Sequence, residues 1–76
     1  MERTKRKDSG LVHKLRKYYT HGTGVVLVKM DDVQAPPIGT EGIVQYVDDT
    51  GTIHVNWDDG KCLGVVLGED ICQKIK

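Results

Sequence analysis

Two periodicities divide this chain. Between residues 9 and 20, Leu11, Val12, Leu15, Tyr18 and Tyr19 recur at i, i+1, i+4, i+7 and i+8, one face of a 3.6-residue repeat. Asp8 and Ser9 are good N-cap residues ahead of that run, and Thr20-His21-Gly22 closes it, with Gly22 suited to a left-handed C-terminal cap. The pattern predicts an amphipathic helix over about 9–20. A helix of so few turns is unstable alone, so its apolar stripe must rest on another part of the chain.

From residue 25 the repeat shortens to two. Val25–Met30, Ile43–Val47, Thr52–Trp57, Cys62–Leu67 and Ile71–Ile75 read as strands, the third alternating Ile53, Val55 and Trp57 with His54 and Asn56. Between them lie turn residues: Asp48-Asp49-Thr50-Gly51, Asp58-Asp59-Gly60 and Gly68-Glu69-Asp70. Asp31 to Gly42 reads as one longer loop, stiffened by Pro36-Pro37 and given unusual dihedrals by Gly39 and Gly42. Five short strands with tight hairpins and a long first loop predict a mainly β fold, a small five-stranded SH3-like antiparallel barrel over about 24–76. The first and fourth strands are apolar on both faces. A barrel interior accounts for one face of each, so the preceding helix is expected to roof the other; a homodimer interface is the alternative, and a monomer is favoured.

Size and charge narrow the function. A chain of 76 residues buries only about 60% of its unfolded surface, enough for one core without a second domain. No apolar run approaches the length of a membrane span, and MERTKRKD lacks a signal peptide's hydrophobic segment, so a cytoplasmic protein is expected. The zero net charge is unevenly distributed. Residues 1–19 hold seven Lys/Arg against two acids, a net of +5, and residues 20–76 hold four Lys against nine acids, a net of −5. Residues 1–8 read as a flexible basic tail. A basic end on an acidic body either docks on that body or contacts a polyanion, and the first needs no partner.

No catalytic set is evident, and no enzyme activity, metal or cofactor is expected. The pairs Asp31-Asp32, Asp48-Asp49 and Asp58-Asp59 sit where strands give way to turns, where aspartate bonds nearby backbone amides; none has the spacing of an ion-binding loop. Cys62 and Cys72 lie ten residues apart without a C-x-x-C motif, so free thiols are preferred over a zinc site with His54. Ser9 is the only serine, and a Cys–His54 dyad has little pocket to serve. The better candidate is a binding surface for a protein partner, formed by Asp31, Asp32, Gln34, Pro36 and Pro37 of the loop with Tyr46, Trp57 and Asp58. Trp57 is in phase with Ile53 and Val55, so core packing competes with that role. Nucleic-acid association is the alternative, using Arg3, Lys5, Arg6, Lys7, Lys14, Arg16 and Lys17. The run Gly39–Val44 with Ile53-His54-Val55 is similar to the KOW motif, over less than a third of the chain.

A longer set of residues carries a second resemblance. Met30-Asp31-Asp32, Ala35-Pro36-Pro37-x-Gly39-Thr40-x-Gly42, Val47-Asp48-Asp49-x-Gly51-x-Ile53-His54-Val55-x-Trp57-Asp58-x-Gly60 and Leu63-Gly64 together resemble a family of small bacterial domains of unknown function. The match spans about residues 11–76. It implies a small SH3-like barrel in the cytoplasm of Gram-positive bacteria, often on conjugative or phage-like elements. It brings no activity and no catalytic residue.

Overall fold

The computed structural model describes residues 9–75. The predicted tail, with Asp8, Arg3, Lys5, Arg6 and Lys7, lies outside them. The described chain forms α1 (Ser9–Tyr18), β1 (Gly24–Lys29), β2 (Glu41–Val47), β3 (Thr52–Trp57), β4 (Cys62–Val66) and β5 (Ile71–Lys74). None of the described helical residues forms a segment long and apolar enough to cross a membrane.

All five strands join one antiparallel sheet in the order β4-β3-β2-β1-β5. Tight turns link β2, β3 and β4, while the last strand returns to pair with the first. This order is consistent with the SH3-like expectation. The two edge strands curl toward each other without forming a ladder. The connection from β4 to β5 contains an isolated parallel bridge between Leu67 and Asp70, and the Val66 amide donates to Asp70 Oδ2 at 2.9 Å.

The predicted alternation holds in β3, where Ile53, Val55 and Trp57 are buried between Thr52, His54 and Asn56. In β2 it breaks. Val44 pairs with Val55, but the next pair is Tyr46 with His54, so Gln45 is an extra residue. Such a bulge reverses the phase of everything after it. Val44 and Val47 therefore both point inward although they are three apart, and Tyr46, which strict alternation would send into the core, stays on the outer face.

Val12 and Leu15 of α1 share one hydrophobic cluster with Val25, Leu27, Met30, Val44, Val47, Ile53, Val55, Trp57, Val65 and Cys72. This corrects the expectation that the helix covers an outer stripe. A curled sheet of such short strands leaves its interior open on one side, and the helix fills that opening; Val28, on the outer face of β1, remains 40% exposed. The helix is also tied to β2 and the turn after it by polar contacts, with Arg16 Nε donating to the Val47 carbonyl at 3.0 Å and Arg16 Nη2 to Asp49 Oδ1 at 2.8 Å.

Two local expectations change as well. The helix ends at Tyr18, short of the predicted residue 20, and Gly22 (φ 90°) serves the following Thr20–Thr23 turn, donating its amide to Val44 O at 2.8 Å. The first loop ends at Thr40, because Glu41 and Gly42 pair with Val26 and Val25 in the sheet. Gly39 has the left-handed dihedral expected of it (φ 95°), whereas Gly42 does not; its glycine is required by close packing.

Candidate functional site

The candidate surface residues separate to opposite ends of the sheet. Seven residues of β2 at about 3.4 Å each put roughly 20 Å between them.

At one end the proline loop is closely braced. The Asp32 carboxylate accepts the Gln34 amide at 2.8 Å, and the Asp32 carbonyl accepts the Ala35 amide at 2.9 Å. Thr40 donates both its hydroxyl (2.7 Å) and its amide (3.1 Å) to the Pro37 carbonyl, while the amides of Gly39 and Leu27 bond Leu27 and Thr40. Lys61 Nζ reaches across from the β3–β4 turn to the Gln34 carbonyl at 3.0 Å. Asp31, Asp32, Gln34, Pro37 and Asp58 are exposed and lie at this end, whereas Pro36 is buried and acts as the loop's anchor. Two residues missed by the sequence reading stand out here: Val33 is 98% exposed and Ile38 62% exposed. Their signal was two aliphatic residues flanking a proline pair within a loop. The same end of the sheet carries the exposed carboxylates of Asp31, Asp32, Glu41, Asp58 and Asp59, with Lys29 and Lys61 among them.

Trp57 corrects the surface reading. It is 3% exposed, its indole N–H donates to the Leu63 carbonyl at 3.2 Å, and its ring lies against Gly42. Inward phase in β3 and a glycine opposite leave the ring a place in the core, where its single donor is satisfied.

At the other end, Tyr46 stacks on His54, with ring centroids 4.4 Å apart and planes 9° from parallel. His54 Nε2 donates to Asp48 Oδ2 at 2.7 Å, which orients the ring beneath Tyr46. Beside this stack is a cleft of about 250 Å³, bordered by Arg16, Tyr19, Thr20, His21, Gln45 and Tyr46. His21 Nδ1 donates to the carbonyl of the bulged Gln45 at 3.0 Å, so the β2 irregularity shapes one wall.

The aspartate pairs act in turns. Asp48 Oδ1 accepts the Thr50 hydroxyl (2.6 Å) and the amides of Thr50 (2.9 Å) and Thr52 (3.0 Å), and Asp59 Oδ1 accepts the Lys61 amide at 3.0 Å. Desolvation works against the Asp48 charge, but hydrogen bonds from Thr50, His54 and the Thr52 and Thr50 amides outweigh it and hold the carboxyl well below the usual carboxylate range. A carboxylate so held stabilises the fold fully above its unfolded value, about 3.9, and that contribution drains away as pH falls below it. Replacing Asp48 with Asn is expected to cost about 1–3 kcal/mol at pH 7 and to flatten the acid limb of the stability curve below pH 4. Urea titrations at several pH values would show this; parallel curves for the two proteins would disprove it.

Cys62 and Cys72 are free, the first exposed and the second buried. Burial, with a contribution from Asp70, pushes the Cys72 thiol up despite a hydrogen bond from Tyr19. Burial likewise pushes the Tyr19 phenol up to about 12, helped by Cys72 and Tyr18. Both groups therefore hold their protons at neutral pH.

Residues 8–75 match the protein-family model described as Domain of unknown function (DUF4314). No curated protein and no solved structure matches the chain.

Proposed function

The chain belongs to the DUF4314 family of domains of unknown function, and on that premise we propose that it is a non-enzymatic binding module whose braced, acidic loop recognises a protein partner. The observation that carries this reading is the presentation of Val33 and Ile38. Both project into solvent from a loop whose backbone is fastened to β1, to its own turns and to Lys61. A surface ordered before binding loses little entropy when it binds. At this end of the sheet five exposed acids outnumber the two lysines, Lys29 and Lys61, so the fitting ligand is a basic segment with apolar side chains.

The chemistry elsewhere supports a binding role over a catalytic one. His54 is engaged with Asp48 and Tyr46, and the raised Cys72 thiol is shifted away from the thiolate a nucleophile needs. The resemblance noted in the sequence adds a setting to the reading: the cytoplasm of Gram-positive bacteria and their mobile elements.

A library of short peptides pairing Lys/Arg with aliphatic residues tests the proposal. Wild-type protein should retain a salt-sensitive subset of them, and the double variant Val33→Ser/Ile38→Ser should bind these at least about tenfold more weakly, since one or more hot-spot side chains are removed. Both positions are exposed, so the variant's stability should stay within about 0.5 kcal/mol of wild type. Equal retention by the two proteins, or retention of none of the library by wild type, would overturn the reading.

A further inference from the structure

From the end of the sheet opposite the proline loop, we infer a second binding surface: the Tyr46 ring and the cleft beside α1 form a site for single-stranded nucleic acid. Three independent features meet there. The first is the aromatic platform. Tyr46 is 56% exposed even though His54 stacks on one of its faces, and the residue is one of those that border the cleft. An unpaired base has a free face to lay against such a ring, whereas a duplex keeps its bases stacked on one another.

The second feature is the bulge at Gln45. It is the irregularity that turns Tyr46 outward, and His21 and the Gly22–Thr23 segment hold it through bonds to Gln45 O and to both backbone groups of Val44. An outward tyrosine supported from beneath by an Asp48-oriented histidine is a fixed platform, with its geometry set before any ligand arrives.

The third is charge. The solvent face of α1 presents His13, Lys14, Arg16 and Lys17, all exposed, and Arg16 itself borders the cleft. Asp48 and Asp49 are the nearby acids, and both are engaged: Asp48 with its turn and His54, Asp49 with Arg16. The carboxylates around Val33 and Ile38 lie at the far end. A strand in the cleft thus meets Tyr46 and Arg16 at its border, with Lys14 and Lys17 exposed elsewhere on α1 to receive the phosphates that run beyond it.

Fluorescence anisotropy of the full chain with labelled ten-nucleotide oligo-dT and oligo-U, at low salt, tests the site. Both oligonucleotides should bind, and a duplex of the same length should bind at least tenfold more weakly. Tyr46→Ala should weaken single-strand binding by about 5- to 150-fold, the range for loss of one stacked base, while Tyr46→Phe should retain it. Lys14→Gln/Lys17→Gln should lower the slope of log affinity against log salt by about 1.4, for two released phosphate contacts. Circular dichroism will confirm that each variant is folded. The Val33→Ser/Ile38→Ser protein should bind oligonucleotide as wild type does, which separates this site from the loop. Absence of binding at low salt, equal affinity for the duplex, or an unaltered Tyr46→Ala would each overturn the inference.

Discussion

Replacing Trp57 with alanine is expected to leave the domain largely unfolded at physiological temperature. The ring is almost wholly enclosed and its N–H is bonded, so truncation removes a large apolar contact and opens a cavity beside Val55 and Gly42. Losses of this kind run to about 3–5 kcal/mol, and a domain of this size commonly has little more than about 5 kcal/mol to lose. At about 4–8 °C per kcal/mol, the thermal midpoint should drop by at least about 12 °C. Trp57→Phe keeps most of the ring and forfeits the bond to Leu63, so it should cost only about 1–2 kcal/mol. Thermal denaturation followed by circular dichroism distinguishes the cases. A shift below about 4 °C for the alanine variant would mean that the tryptophan is a surface residue after all.

The second large effect is expected at Gly42. A Cβ built there would lie 2.7 Å from Val55 Cγ1, 2.8 Å from the Asn56 carbonyl oxygen and 2.8 Å from Trp57 Cε3. A side chain can turn aside, but the carbonyl belongs to the β2–β3 ladder and moves only if the pairing is disturbed. Gly42→Ala should therefore cost about 3 kcal/mol, the upper end for overpacking. Gly39→Ala provides the contrast. Nothing lies within 4 Å of a Cβ there, so the cost is the left-handed backbone alone, about 1–2 kcal/mol. Combining Gly42→Ala with Trp57→Phe should leave the clash with the Asn56 carbonyl in place, and urea midpoints of the single and double variants measure the coupling. A Gly42→Ala protein as stable as wild type would show that β2 and β3 pack more loosely than these distances require.

Together the two surfaces make a small body with distinct ends. Exposed acids and aliphatic side chains gather at the end of the proline loop, and α1 carries exposed cationic groups, of which Arg16 shares the cleft with Tyr46. The two ends lie roughly 20 Å apart along β2, so a ligand confined to one end leaves the other open.

The five strands and the helix were readable from hydrophobic spacing, since alternation and the 3.6-residue repeat are local properties of the chain. The turns were equally readable, because an aspartate capping amides two to four residues ahead needs no distant partner. The charge separation between the N-terminal segment and the remainder was also plain in the residues themselves.

Other properties depended on residues far apart in the chain. The inward direction of Val12 and Leu15 follows from an opening that exists only when the sheet has curled. The Gln45 bulge, and with it the outward Tyr46, arises from pairing between β2 and β3 and from bonds to residues 21–23, neither of which leaves a pattern in β2 alone. Likewise, Tyr46 and the loop of residues 30–40 are near in sequence but at opposite ends of β2, because an extended strand carries the chain away faster than any other element. Local chemistry thus determined which elements form, and long-range pairing decided which side chains they bring together.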